Sequence, residues 1–193
     1  MDQQYRREFL QVLTILTKLI EMKDSYTEGH SEQVSLWSEI ISRKLGLSQK
    51  EQEEIKLAAK LHDIGKIGIP DRILKKPAKL SEEEYAEVRK HSSLGADLFS
   101  NIDSLKKISK IIKHHHEWYN GKGYPDGLRG EEIPVGSRII NVADAYQAMT
   151  SNRPYRKAFS KEKAIDELKR CAGTQFDPEI VRIFIEILNE NIS

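Results

Sequence analysis

Six histidines, His30, His62, His91, His114, His115 and His116, mark where this chain could do chemistry. Nearly all have a glycine or a carboxylate within a few residues, unlike a histidine packed into an apolar core. A neutral imidazole is a good ligand for borderline divalent metals, and a carboxylate can bridge two of them. A mixed His and Asp set therefore suits a hydrolytic metal centre. His62-Asp63 closes an apolar helical pattern (Ile55, Leu57, Ala58, Leu61), and Ile64-Gly65-Lys66 follows, aiming a cation at the same pocket. The triplet His114-His115-His116 ends another helical pattern just before a loop. Adjacent helical residues point ~100° apart, so two consecutive ligands on one ion require the helix to end or distort there. As a plain solvated terminus, the triplet would only complement the helix dipole. The loop beyond, Asn120-Gly121-Lys122-Gly123-Tyr124-Pro125-Asp126-Gly127, is too glycine-rich for ordinary surface and too structured by Tyr-Pro for a linker.

Helices must position these groups. Phe9, Val12, Leu13, Leu16, Leu19 and Ile20 recur at three- and four-residue steps and predict one amphipathic stripe. Val34, Trp37, Ile41 and Leu45 repeat the period, and Gly46 stands where a helix C-terminus takes left-handed geometry. Ser48 with Glu51, and Ser81 with Glu84, read as capping boxes. Leu105, Ile108, Ile111 and Ile112 follow Asp103, and Val142, Tyr146 and Met149 form a later stripe. Asp177-Pro178 pairs an N-cap with proline at the first helical position, ahead of Ile180, Ile183, Phe184 and Ile187. Strict apolar/polar alternation is nowhere sustained, so the fold class is all-α. Glycine and proline concentrate in residues 65–77 and 121–136, read as loops inside one domain spanning 1–193. Residues 1–22 form its N-terminal helix, either packed on the domain or leading in from an absent upstream domain; its stripe could also pair two chains as a homodimer.

Composition narrows the function classes. Thirty-one Lys plus Arg against thirty Asp plus Glu leave a net charge of +1, so no global positive field exists to hold long nucleic acid. An anionic ligand must be gripped locally. One cysteine forms no internal disulfide, MDQQYRREFL lacks a signal-peptide core, and no apolar run approaches the ~20 residues that span a bilayer, so the cytoplasm is the expected compartment and no membrane partner is expected.

In order along the chain, His62-Asp63-x-Gly-Lys66, His91, His115-His116-Glu117, Gly123-Tyr124-Pro125 and Asp144 resemble the HD-GYP domain. The resemblance runs from Tyr26-Thr27-Glu28-Gly29-His30-Ser31 to Arg153-Pro154-Tyr155-Arg156-Lys157-Ala158. It implies an HD-domain helical bundle with a di-metal site and a metal-dependent phosphodiesterase that hydrolyses cyclic di-GMP to pGpG or GMP. On that footing Asp63 bridges two ions, His62 and Asp144 complete one, and His91, His115 and His116 complete the other. Two ions would make a bridging hydroxide available at neutral pH to attack phosphorus. Iron or manganese is favoured, with nickel or zinc compatible. The resemblance further implies that Lys66, Arg153 and Arg156 hold phosphate oxygens and that Tyr124 and Pro125 shape the loop, Tyr124 packing beneath it or meeting a guanine or a partner.

Three departures bear on these expectations. Asn120 replaces a common Asp and can still cap a turn. Gln147 stands where the family usually has an Asp bordering the nucleotide, which bears on substrate preference or rate. Tyr26 lies four residues before His30, where three-metal members carry a Glu. A phenol with a pKa of ~10 is a poor bridging ligand, so two ions are expected and His30 is a weak ligand or supports one. Other readings are a slow nucleotide-binding module that docks a GGDEF-type partner through the Gly-Tyr-Pro loop, and a phosphohydrolase for another cyclic dinucleotide or nucleotide.

Overall fold

Ser48 and Ser81 each accept a hydrogen bond from the backbone of the glutamate three residues on, which returns its carboxylate to the serine N–H. Both capping boxes start helices as their spacing predicts. The structure, a computed structural model, describes residues 3–23, 29–152 and 157–190. Through them run α1 (Gln3–Lys23), α2 (His30–Lys44), α3 (Gln49–Leu61), α4 (Asp71–Leu74), α5 (Glu82–Arg89), α6 (His91–Ser100), α7 (Lys106–Lys113), α8 (Val135–Thr150), α9 (Lys161–Cys171) and α10 (Pro178–Glu190). Short 3-10 turns span Ile64–Gly68, Asp103–Leu105 and Gly130–Glu132. Among the described residues there is no strand, only the isolated bridges Asn120 to Arg129 and Ala172 to Phe176, so the fold is all-α. None of these helices is long and apolar enough to cross a membrane.

α2 packs on α3 and α8, α3 on α7, and α6 on α7. Ile41, Ile55, Leu61, Ile112, Ile139, Ile140, Leu168 and Phe184 are fully buried between these helices. Trp37 meets the rings of Tyr146 and Phe184 edge-on at 5.9 and 5.4 Å, tying α2 to α8 and α10. Asp177 Oδ1 accepts from the amides of Glu179 and Ile180, the predicted cap of α10.

The first helix departs from its predicted stripe. Only Leu13 and Ile20 of the described stripe residues are buried; Val12, Leu16 and Leu19 are exposed, and the side chain of Phe9 lies outside the described residues. Six apolar residues cover a wider arc than the narrow line by which α1 docks. That line is Leu13, Thr17 and Ile20, with Thr17 Oγ1 donating to the Lys60 carbonyl at 3.3 Å. At its end Lys23 Nζ donates to the carbonyls of Lys66, Ile67 and Ile69 at 3.2, 2.9 and 2.7 Å, fastening the 3-10 turn that follows His62-Asp63.

That turn lies backbone to backbone against α6. A Cβ on Gly65 would fall 1.9 Å from the His91 carbonyl oxygen and 2.5 Å from the Gly95 nitrogen, so only glycine allows the approach. Gly65→Ala should therefore cost about 1–3 kcal/mol or more by forcing packed backbones apart, read as a lower denaturant midpoint at unchanged slope. An unshifted midpoint would show that the turn is not pinned there.

Candidate metal centre

The last carbonyls of a helix have no partner within it. His62, the residue after α3, donates Nδ1–H to the Ala59 carbonyl at 2.7 Å. His91, opening α6 directly after α5, donates to Val88 at 2.7 Å, and His115, just beyond α7, donates to Ile112 at 2.6 Å. A carbonyl only accepts, so each Nδ1 carries the proton and each Nε2 presents a lone pair inward. The Nε2 atoms of His91 and His115 face each other at 3.4 Å. Asp63 reaches between His62 and His91, with Oδ2 3.5 Å from His62 Nε2 and Oδ1 3.5 Å from His91 Nε2.

Ligand atoms converge in three sets, each within 4.8 Å: His91, His115 and His116; His30, His62 and Asp144; and His62, Asp63 and His115. Desolvation, against the pull of Asp63, holds His91 below the ordinary imidazole range, and desolvation with the neighbouring imidazoles drives His115 well below it. Desolvation and then His91 push His116 down to about 3. Burial alone would raise Asp63, but Lys66, His62 and His91 hold it well below the usual carboxylate range. Low-lying His91, His115 and His116 around an ionised Asp63 are the protonation states that a divalent cation requires, so these residues fit such an ion; at His30 desolvation is outweighed by the Asp144 carboxylate, which raises that imidazole. When bound, divalent ions lower the pKa of water and offset charge at phosphorus.

His30 sits inside this assembly. Its Nε2 is 3.2 Å from Asp144 Oδ1, while its Nδ1 donates in a short contact to Gln147 Oε1. Gln147 donates its amide to Ser151 Oγ at 2.9 Å, so both ends of the side chain orient within the protein and it fixes the His30 ring. Lys66 Nζ pairs with Asp63 Oδ2 at 2.8 Å. His114 points away from the cluster, donating to the Lys110 carbonyl and meeting Asp126 Oδ2 at 3.0 Å. Of the triplet, only His115 and His116 join the candidate metal sets, because α7 ends at Lys113 and the chain turns through the three histidines. Tyr26, Arg153 and Arg156 lie outside the described residues.

The loop is built on a residue whose role the sequence did not reveal. Glu117, almost wholly buried, accepts the amides of Asp126 and Gly127 on Oε1 at 2.7 and 3.0 Å. Its own carbonyl accepts from Asn141 Nδ2 at 2.7 Å. Gly123 passes so close beneath that a Cβ would lie 2.2 Å from the Trp118 nitrogen. This puts the Tyr124 ring on His116, 4.9 Å between centres and 30° apart, beside an exposed Pro125. Asn120 Oδ1 accepts from the Lys122 amide at 3.0 Å, capping the turn as its type allows.

A helical frame with a His-Asp pair at its centre and further imidazoles converging from separate helix ends defines a class of metal-binding domains. The chain belongs to the HD domain family, whose family model matches residues 14–180, and its Gly-Tyr-Pro loop places it with the HD-GYP members. It is 40% identical over 189 residues to a cyclic di-GMP phosphodiesterase of Thermotoga maritima, covering 97% of this chain and 51% of that protein. It is 36% identical over 178 residues to 3'3'-cGAMP-specific phosphodiesterase 3 of Vibrio cholerae, covering 92% and 39%. The chain thus spans about half or less of these relatives. The crystal structure of a cyclic GMP-AMP specific phosphodiesterase of V. cholerae shares the fold, with a TM-score of 0.71 at 20% identity over 92% of this chain and 48% of that one.

Glu117 supplies a direct check on the loop. Glu117→Ala should speed amide exchange at Asp126 and Gly127 about tenfold or more, since two charge-assisted bonds are lost, and Glu117→Gln should recover part of the protection. Unchanged exchange in the alanine variant would remove Glu117 as the anchor.

Proposed function

We propose that this domain is a metal-dependent phosphodiesterase that hydrolyses cyclic di-GMP to pGpG, and onward to GMP, holding two divalent ions per chain, with iron or manganese favoured. The observation that carries this reading is the set of inward Nε2 lone pairs of His62, His91 and His115 around the Asp63 carboxylate. Water adds across one P–O3′ bond to give the linear dinucleotide, and across the second to give two mononucleotides.

The chain's own residues divide the work. Asp63, 3.5 Å from the Nε2 atoms of both His62 and His91, would help hold the ions, with His30, His62 and Asp144 available to one and His91, His115 and His116 to the other. Lys66 exchanges its contact with Asp63 for a phosphate oxygen, and Arg153 and Arg156 are assigned the same type of ligand. The bonds from Nδ1–H to carbonyl keep the tautomers of His62, His91 and His115 fixed, so these three imidazoles do not turn away when substrate enters. Tyr124, stacked on His116, excludes water from that side. A second reading, a slow nucleotide-binding module that docks a GGDEF-type partner through the Gly-Tyr-Pro loop, draws on Gln147, a neutral amide against His30.

Incubation of metal-loaded protein with cyclic di-GMP and 3'3'-cGAMP, with products resolved by chromatography, separates these readings. The proposal expects pGpG or GMP; binding without product favours the module, and turnover of cGAMP alone would change the substrate. Asp63→Asn should lower kcat/KM by about a thousandfold or more with helical content retained, because the carboxylate central to the cluster is gone. Full activity in that variant would exclude Asp63 as the bridge. Elemental analysis after anaerobic loading should give close to two metal ions per chain, falling in His30→Ala; three fully occupied sites would contradict the two-ion arrangement.

A further inference from the structure

Helix α5 contributes nothing to the core, since none of its residues is buried. It nevertheless presents Tyr85 and Arg89, one turn apart on a common face, to the Gly-Tyr-Pro loop. The Arg89 guanidinium carbon lies 4.8 Å from the centre of the Tyr85 ring and 5.4 Å from that of Tyr124. Tyr124 in turn stacks on His116 at 4.9 Å. Tyr85, Arg89, Tyr124 and His116 thus form a continuous line from the exposed edge of the domain into the metal-ligand cluster, with Tyr85 49% exposed at its outer end. The carboxylates near Arg89 have other partners: Glu84 pairs with Lys76 and Glu87 with Lys90. Among the described residues Arg89 makes no ion pair. A guanidinium lying over aromatic faces keeps its in-plane N–H donors free, which suits a phosphate oxygen, while the exposed edge of the Tyr85 ring suits a purine.

We propose that Tyr85 and Arg89, set against Tyr124, form a binding subsite for the part of a cyclic dinucleotide that is not being cleaved, with Arg89 taking its second phosphate and Tyr85 its base. The assignment rests on the phosphodiesterase reading above. One phosphodiester meets the cluster and the cations assigned to it above, Lys66, Arg153 and Arg156, and a second anionic phosphate calls for a further cation. Arg89 supplies one without a competing carboxylate. An exposed helix also allows these residues to be changed without disturbing the core.

Two measurements test the subsite. Equilibrium dialysis of cyclic di-GMP against metal-loaded protein reads binding independently of turnover, and Arg89→Gln should weaken it about tenfold or more, the loss expected for one charge-assisted contact. Arg89→Lys should recover part of the loss, and Tyr85→Leu should give a smaller one. Bis(p-nitrophenyl) phosphate, with one phosphodiester and no base, supplies the second reading. In Arg89→Gln the ratio of kcat/KM for cyclic di-GMP to that for bis(p-nitrophenyl) phosphate should fall by a similar factor, chiefly through KM. Equal proportional losses on both substrates would assign Arg89 a structural role and overturn the subsite, as would unchanged binding. Wild-type protein that cleaves bis(p-nitrophenyl) phosphate but does not bind the cyclic dinucleotide overturns the subsite while leaving the hydrolytic centre intact. Wild-type protein that binds the dinucleotide but cleaves neither substrate overturns the hydrolase reading, and dialysis still decides the subsite.

Discussion

Three imidazoles at the centre of this domain are held by the same bond, Nδ1–H to the carbonyl three residues earlier. Helix ends leave carbonyls unpaired, and a histidine placed just beyond the end can satisfy one and aim its other nitrogen elsewhere. His62, His91 and His115 each occupy such a position, on α3, at the α5/α6 junction and after α7. The metal-ligand geometry is therefore a property of where three helices stop. Moving any of those ends by one residue would rotate an imidazole by ~100° and remove it from the cluster.

This arrangement concentrates polar groups where a small helical domain would otherwise place apolar ones. Asp63 and Asp144 stay ionised although desolvation opposes it, Asp63 chiefly because Lys66 faces it and Asp144 chiefly because it pairs with His30. The burden is met by the surroundings. Ile55, Leu61 and Ile112, beside or between the ligand residues, are fully buried, and the glycine contact between the 3-10 turn and α6 brings Asp63 within reach of His91. Lys23, by capping three carbonyls of that turn, makes the first helix part of the support for the site although its outer face is exposed. A bound divalent ion adds stability by mass action, since the unfolded chain does not preserve this constellation.

The residues that converge at the candidate centre were legible because few side chains bind divalent metals, and because helix-ending signals placed His62 and His115 where a chain turns. Capping serines, the all-helical class and the α10 start were legible for the same reason: they depend on interactions within a few residues. Long-range choices were not. Nothing in the local pattern of α1 tells which of Val12, Leu13, Leu16 and Ile20 faces the domain, because that is decided by where α3 and the 3-10 turn pass beneath it. Gln147 could be recognised as a departure, but its bonds to His30 and Ser151 depend on α2 and α8 packing side by side. Glu117 follows two histidines and its local pattern assigns it no role; in the structure its Oε1 carries the loop amides.

Relatives of 40% and 36% identity bear the names of enzymes for different cyclic dinucleotides, cyclic di-GMP and 3'3'-cGAMP. A metal cluster sees a phosphodiester, and the phosphodiesters of the two compounds are chemically alike. Guanine and adenine differ in exocyclic donors and acceptors, and discrimination of that kind comes from polar groups placed to meet them, because an unmatched partner is left unpaired. Such groups must lie beyond the ligand residues, at the edge where bases emerge. On the subsite proposed above, that edge is formed by the loop that Glu117 anchors and by α5, none of whose residues is buried and which is therefore free to vary while the helix ends around the candidate centre stay in place.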